Sequence, residues 1–414
     1  MSTTFPSSTP HHVPHRSGGR GTAGALLLAL LARLDRGRLE VHAPDGNVHR
    51  FGPGGAPCAG AQIAPAVLRI ADWRFAVATL KGGDVGFGES YMAGQWTTPD
   101  LPQLLTVLAA NQPAIEHAFY GRAWTRALLR LRHWLNANTR RQAKRNIASH
   151  YDLGNDFYAL WLDRTMSYSS ALFAGERTGT LEAAQQAKYD RLLRELALAP
   201  GAHVLEIGAG WGGFAETAAR AGHRVTGISL SERQTAWARE RVAGAGVAER
   251  VDLRLQDYRD VRGRYDGVAS IEMVEAVGER WWPAYFAAVR DALVAGGRAC
   301  IQAITIAEAR FGRYRTQSDF IQQHVFPGGM LASPSGLLAV AERAGLRPVA
   351  SHRFGTDYAE TLRRWLDAFD LHAEAIERRF DAAFVRGWRF YLAYCIAGFA
   401  TGTTDVGQYT FERR

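Results

Sequence analysis

Cysteine is scarce: Cys58, Cys300 and Cys395 are the only three in 414 residues. That is too few for a disulfide framework, and no Cys-x-x-Cys or His-rich metal spacing appears. A reducing, cytoplasmic setting fits best. No apolar run reaches the ~18–20 residues that cross a bilayer. The stretch Ala23–Ala32 is apolar, but Arg33, Asp35, Arg36 and Arg38 follow where a signal peptide would need small residues at its cleavage site, so it reads as a helix. Acidic residues are missing between Glu116 and Asp152. Arg122, Arg126, Arg130, Arg132, Arg140, Arg141, Lys144 and Arg145 fall in that gap, among Trp124, Leu128, Leu131 and Trp134. A basic helix with aromatic residues suits an anionic membrane surface, and a solvated connecting helix has the same composition.

The formal net charge of +9 favours polyanionic partners and leaves the fold open. Length allows two domains or three, and a 47% apolar fraction allows a sizeable core. Residues 1–20 are rich in Ser, Pro, His and Gly, a composition typical of disordered tails. Residues 21–115 read as a small α+β domain. A helix is followed by a hairpin about Asp45-Gly46-Asn47, then by strands over Ile63–Leu80, a loop at Gly82, Gly83, Gly86 and Gly88, and a helix over Leu101–Ala109. Residues 116–149 are the basic helical linker, and 150–414 the catalytic domain. From His203 strands alternate with helices, which predicts an α/β fold with a parallel sheet. Strands are expected at Val204–Ile207, Arg224–Ser229, Val251–Leu255, Gly267–Ile271 and Ala299–Thr305. Helices are expected at Pro334–Ala344, Thr361–Arg379 and Phe384–Phe399.

The first of those strands runs into a glycine turn, Glu206-Ile207-Gly208-Ala209-Gly210-Trp211-Gly212-Gly213. Glycine there lets backbone approach a ligand at the carboxyl end of the strand. Gly208, Gly210 and Gly213 match the dinucleotide pattern, a weak signal alone. Dinucleotide sites place an acid at the end of the second strand, where this chain has Ser229-Leu230-Ser231. Its acid is Glu206, just before the glycines. An anion there suits the ammonium and sulfonium of S-adenosylmethionine better than a pyrophosphate. A nicotinamide or flavin oxidoreductase is the more distant alternative. A nucleic-acid methyltransferase is disfavoured, since no Asn-Pro-Pro-Tyr-like motif is present and the basic cluster lies outside the α/β fold. No nucleic-acid partner is expected.

Further segments accompany the turn: His150-Tyr151-Asp152-Leu153-Gly154-Asn155-Asp156-Phe157-Tyr158, Tyr168-Ser169-Ser170-Ala171-Leu172-Phe173, Gln186-Ala187-Lys188, Ile271-Glu272-Met273-Val274-Glu275, Phe326-Pro327-Gly328-Gly329 and Tyr358-Ala359-Glu360-Thr361-Leu362. In that order they resemble the cyclopropane-fatty-acyl-phospholipid synthase family, which includes the mycolic-acid methyltransferases. The resemblance implies a seven-stranded, Rossmann-like class I methyltransferase domain preceded by a small lipid-associated domain. It implies a peripheral enzyme on the inner face of the membrane, and it is compatible with a homodimer. The cofactor contacts it implies are Tyr168, Ser169, Glu206, Gly208, Gly210, Ser229, Leu230, Gln234, Asp257 and Tyr258.

The reaction implied is methyl transfer to an acyl-chain alkene, a poor nucleophile that must be held in line with the methyl group. Aromatic faces can stabilise the resulting cation, and water must be kept out. The family's proton acceptor is a bicarbonate gripped by a Glu, a His, a Tyr, a Cys and a backbone amide. The matching positions are Glu275, Gln302, Tyr358, Ser170 and the amide of Ile304. Gln302 replaces the His and Ser170 the Cys, and neither can carry a histidine's positive charge. A cyclopropane is the expected product. A methylene or methyl branch, the latter with a reductase partner, is the alternative.

Overall fold

The computed structural model describes residues 21–53, 64–112, 114–115, 153–175 and 177–414. The tail 1–20, the basic segment 116–149, Cys58 and His150-Tyr151-Asp152 lie outside the described residues. The amino-terminal elements are α1 (Gly21–Leu31), β1 (Leu39–His42), β2 (Val48–Phe51), β3 (Ala66–Ile70), α2 (Arg74–Met92), β4 (Trp96–Thr97) and α3 (Leu101–Ala110). The hairpin forms as expected: β1 and β2 pair antiparallel, and Gly46 takes φ +83° in the turn. Strand β3 then lies parallel to β1, giving the order β2-β1-β3-β4.

The expected strands over Ile63–Leu80 shrink to β3, and the glycines expected in a loop sit inside α2. That helix kinks at Gly83 (φ 60°, ψ −134°). Its later glycines serve packing: a Cβ on Gly88 would come within 2.5 Å of the Phe320 ring and 2.9 Å of Phe390. Tight helix contact outweighs the ~1 kcal/mol that a helical glycine costs. These elements share one core with the carboxyl-terminal helices. Leu27, Leu68, Phe75, Trp96 and Leu104 belong to the same buried cluster as Phe390, Leu392 and Ile396.

The second sheet has seven strands: β5 (His203–Ile207), β6 (Arg224–Ser229), β7 (Val251–Leu255), β8 (Tyr265–Ile271), β9 (Leu293–Ile306), β10 (Leu346–Arg353) and β11 (Thr404–Arg413). Their order is β10-β11-β9-β8-β5-β6-β7. The pairs from β9 to β7 are parallel, while β11 runs antiparallel to both β9 and β10. Strand β5 lies between β6 and β8, so the chain order reverses at its carboxyl end, where α/β sheets bind ligands. Its Val204, Leu205 and Ile207 are buried, as expected of a strand covered on both faces.

The helices of this half are α4 (Asn155–Ala159), α5 (Leu181–Leu196), α6 (Gly213–Arg220), α7 (Glu232–Gly244), α8 (Trp282–Ala292), α9 (Glu308–Tyr314), α10 (Phe320–His324), α11 (Pro334–Arg343), α12 (Gly355–Leu371), α13 (Ala373–Arg379) and α14 (Ala382–Ala400). The aromatic run of α14 is structural in part. Phe157 of α4 is enclosed edge-on by Trp161, Phe369, Phe380, Phe384 and Trp388 at 5.0–6.4 Å. Such pairs each add about 0.5–1.5 kcal/mol beyond area burial. Among the described residues no helix is long and apolar enough to cross a membrane.

Candidate active site

The turn after β5 is pinned by the amides of Gly208 and Ala209, which both donate to the Ile228 carbonyl at 3.0 and 2.9 Å. Gly208 and Gly210 take φ +88° and +51°. A Cβ on Gly210 would meet nothing within 4 Å, because that face opens on a cavity of about 850 Å³. Glu206 lines the same cavity, and its Oε2 is buried with no hydrogen-bond partner among the described residues. Burial pushes its pKa well up, and the nearby Lys188 ammonium opposes the shift. A buried, unpartnered carboxylate oxygen costs free energy until a donor reaches it. An ammonium-bearing ligand supplies one, so these residues fit S-adenosylmethionine.

The cavity is also lined by Tyr168, Ser169, Ser229, Leu230, Gln234 and Tyr258. Lys188 is fully buried and donates to Ser169 Oγ at 2.7 Å and to Gln185 Oε1 at 2.5 Å, which fixes that strip of chain. Its burial lowers its pKa to about 8. Asp257 departs from the expectation. Its carboxylate faces Arg259, with Oδ2 at 2.5 Å from Nη2 and Oδ1 at 2.8 Å from Nε, and the residue does not line the cavity. Its neighbour Gln256, which sequence reasoning passed over, does.

Two further glutamates line the cavity, Glu272 and Glu275, the first following the strand that pairs with β5. Glu272 Oε2 accepts from the Tyr358 hydroxyl at 2.6 Å, and its Oε1 accepts from Gln302 Nε2 at 2.8 Å and from the Ser170 amide at 2.9 Å. Glu275 Oε1 accepts from the Ile304 amide. Its Oε2 is buried without a hydrogen-bond partner among the described residues. Burial, and then the charge of Glu272, push the Glu275 pKa up to about 8. Burial also raises that of Glu272, against the hydrogen bonds from Tyr358, Gln302 and Ser170.

Bicarbonate therefore does not fit as expected. The donors assigned to it, Tyr358, Gln302 and the Ile304 amide, are engaged by glutamate side chains. At Ser170 the backbone amide goes to Glu272, while its Oγ donates to the Ala171 carbonyl at 3.0 Å. Ser170 and Gln302 are both fully buried and do not line the cavity. Glu272 was legible only as a neighbour of Glu275 in the segment from Ile271 to Glu275. No spacing rule marks it, because its partners come from β9, α12 and the loop before α5.

Much of the remaining wall is apolar and aromatic, including Trp211, Phe326, Phe390, Tyr391 and Phe399. The Tyr168 and Tyr391 hydroxyls meet at 2.7 Å. Residues of the amino-terminal half complete the enclosure, among them Leu27, Leu68, Phe87 and Leu105. Lys81, Arg310 and Arg313 add cations to it, and Arg310 donates to Gln112 across the two halves.

A seven-stranded sheet with a glycine turn and an acid at the end of the strand where the chain order reverses defines a class I S-adenosylmethionine-dependent methyltransferase. Solved structures agree with this. A mycolic acid cyclopropane synthase in complex with SAH and CTAB superposes with a TM-score of 0.61 and 28% identity, covering 65% of this chain and 98% of that one. The chain belongs to the mycolic acid cyclopropane synthetase family, whose model matches residues 138–409. It is 40% identical over 413 residues to the tuberculostearic acid methyltransferase of Mycobacterium tuberculosis, covering 95% of this chain and 93% of that protein. It is 32% identical over 387 residues to the cyclopropane-fatty-acyl-phospholipid synthase of Escherichia coli, covering 90% and 96%.

Proposed function

We propose that the chain transfers the methyl group of S-adenosylmethionine to the double bond of an unsaturated acyl chain in a membrane phospholipid, and leaves a methylene branch. The observation that carries this reading is the single aromatic-walled cavity joining Gly208 and Gly210 to Glu272 and Glu275. Glu206, Gly208, Gly210, Tyr168, Ser169, Ser229, Leu230, Gln234 and Tyr258 hold the cofactor in this reading. The cofactor supplies an electrophilic methyl. The aromatic wall excludes water and faces the chain cation that methyl transfer leaves. Lys81, Arg310 and Arg313 suit a lipid phosphate, and the basic segment Arg122–Arg145 suits the anionic membrane surface. The branch is favoured over the ring because the groups expected to hold bicarbonate are engaged by glutamates, and because a relative aligned over nearly the whole chain is named a tuberculostearic acid methyltransferase and not a cyclopropane synthase. A saturated branch would need a separate reductase. The cyclopropane remains the second reading, supported by the E. coli relative and by Glu275, Tyr358 and Ile304 lining one cavity.

The test is incubation of the purified chain with S-adenosylmethionine and monounsaturated phospholipid vesicles, then gas chromatography with mass spectrometry before and after ozonolysis. A methylated chain that ozone cleaves is the expected product. A methylated chain resistant to ozone establishes the ring instead, and methyl found only on the head group overturns the acyl-chain reading.

A further inference from the structure

Glu272 is one of four non-glycine residues with positive φ among the described residues, at +49°. A left-handed backbone costs an ordinary side chain on the order of 1 kcal/mol or more, and such strain gathers at functional sites. What this conformation achieves is visible in the side chain. It delivers a carboxylate to Tyr358 OH, Gln302 Nε2 and the Ser170 amide. The orientation of the Gln302 amide is itself fixed. Its Oε1 accepts from Gln408 Nε2 at 3.2 Å, so its NH₂ faces Glu272. Gln408 is held in turn by Arg191, which donates to its Oε1 at 2.9 Å, while its own Nε2 also donates to the Lys188 carbonyl at 3.1 Å. Three donors and no acceptor around Glu272 favour its ionised form. Glu275, three residues on, has one donor and an unpartnered buried oxygen, so it is the member of the pair that stays protonated.

We propose that the Glu272 carboxylate is the base of the reaction, a tethered anion standing where the family resemblance implies a free bicarbonate. This rests on the alkene-methylating reading above. The alkene π pair forms the new C–C bond to the methyl carbon. The C–S bond breaks with its pair to sulfur, and S-adenosylhomocysteine results. The neighbouring chain carbon is left cationic. For the methylene branch, a hydride first moves with its electron pair from the methyl-bearing chain carbon to that cation. A C–H bond of the transferred methyl then gives its pair to the new cationic carbon as the C=C bond, and its proton passes to Glu272, which becomes the neutral acid until it loses that proton to solvent between turnovers. Tyr358 and Gln302 are positioning residues that hold the carboxylate.

Two variants test this. In Glu272→Gly the backbone conformation becomes a favoured one, and the three donors are left facing an anion-sized space. Glu272→Gln keeps the volume and removes the charge. The expected results are a wild type whose rate is the same in bicarbonate-depleted and bicarbonate-supplemented buffer, and both variants slowed about 100-fold or more, as loss of a general base predicts. Formate or bicarbonate restores activity to Glu272→Gly and not to Glu272→Gln, whose amide fills the space. A second readout needs no lipid: added formate raises the melting temperature of Glu272→Gly and leaves that of the wild type unchanged. A wild type that requires bicarbonate, a Glu272→Gly variant at full rate in depleted buffer, or a variant that formate does not stabilise overturns the assignment. No acyl methylation by the wild type, with formate stabilising the variant, instead overturns the lipid reading and leaves the anion site standing.

Discussion

Glu206 and Glu272 line the same cavity, each at the end of a neighbouring parallel strand, yet their surroundings are opposite. Glu206 keeps a buried oxygen with no partner among the described residues, and burial pushes its pKa well up. Glu272 has donors on both oxygens from three separate parts of the chain. A carboxylate left unsatisfied in a buried site marks the place where a ligand brings the donors. One that is fully satisfied is part of the finished machinery. Burial alone would not separate them, whereas the hydrogen-bond inventory does. Lys188, buried between Ser169 and Gln185, contributes electrostatically to both acids.

The largest expected effect is on the ligand that Glu206 awaits. Gly210→Leu places a side chain where a Cβ meets only open cavity, beside the unpartnered acid. S-adenosylhomocysteine affinity should fall more than about 100-fold, a loss of roughly 2.8 kcal/mol or more. Isothermal calorimetry measures it, with circular dichroism to check the fold. Unchanged affinity would place the cofactor elsewhere and remove the reason given for the Glu206 orphan.

Much of this comparison was legible in the sequence, but unevenly. The glycine turn and Glu206 are local, and hydrophobic strands beside turn glycines announce them. Strands β5 to β8 follow the expected segments to within two residues at each end. Strands β10 and β11 were missed for a physical reason. The edge strand β10 has a largely half-exposed and exposed sequence with a proline, and β11 buries polar residues instead of alternating. Gln408 and Thr410 are tolerated there because Arg191, Gln302 and Glu195 pair with them. The α2 glycines misled because helix–helix contact, invisible locally, set their conformation. Glu272 was hidden by the same nonlocality: its role depends on residues 170, 302 and 358. Tyr358 and Ser170 were placed near the chemistry by family resemblance alone, and that resemblance carried bicarbonate with it.

A middle-sized effect sharpens the contrast through the third carboxylate. Glu275 has its pKa raised from 4.5 to about 8 by burial and by Glu272. Between those values the folded state holds a proton that the unfolded chain has released. The resulting stability is fully present below about 4.5, is lost as pH rises towards 8, and is absent above it. Glu275→Gln mimics the protonated acid, so its stability should change less between pH 5 and 8, by about 1–3 kcal/mol relative to the wild type. Urea unfolding at several pH values provides the measurement. Parallel pH profiles for the two proteins would mean that Glu275 is ionised beside Glu272, and the division of the pair into a neutral acid and a base would fail. Turnover of Glu275→Gln should fall far less than that of Glu272→Gln, with cofactor affinity retained, since the amide stands in for the neutral acid and leaves the base in place.

The smallest effect is expected at Asp257, where resemblance implied a cofactor contact and the side chain points elsewhere. Its carboxylate is held by Arg259 and also accepts from the Arg259 amide at 3.0 Å, closing a short turn after β7. Asp257→Asn keeps the turn acceptor and loses the charge facing a largely buried guanidinium. Affinity for S-adenosylhomocysteine should therefore change by less than about threefold, or roughly 0.7 kcal/mol. Stability should fall by about 1 kcal/mol, as when one member of a partly buried ion pair is neutralised. Gln256→Ala, at a residue that lines the cavity, should weaken binding more than Asp257→Asn does. The order of the two variants is the informative quantity. Calorimetry showing the larger loss at Asp257 would mean that this carboxylate leaves Arg259 to meet the ligand, so that a satisfied acid can also be a binding group. The rule that separates Glu206 from Glu272 would then need the energy of each hydrogen bond as well as its presence.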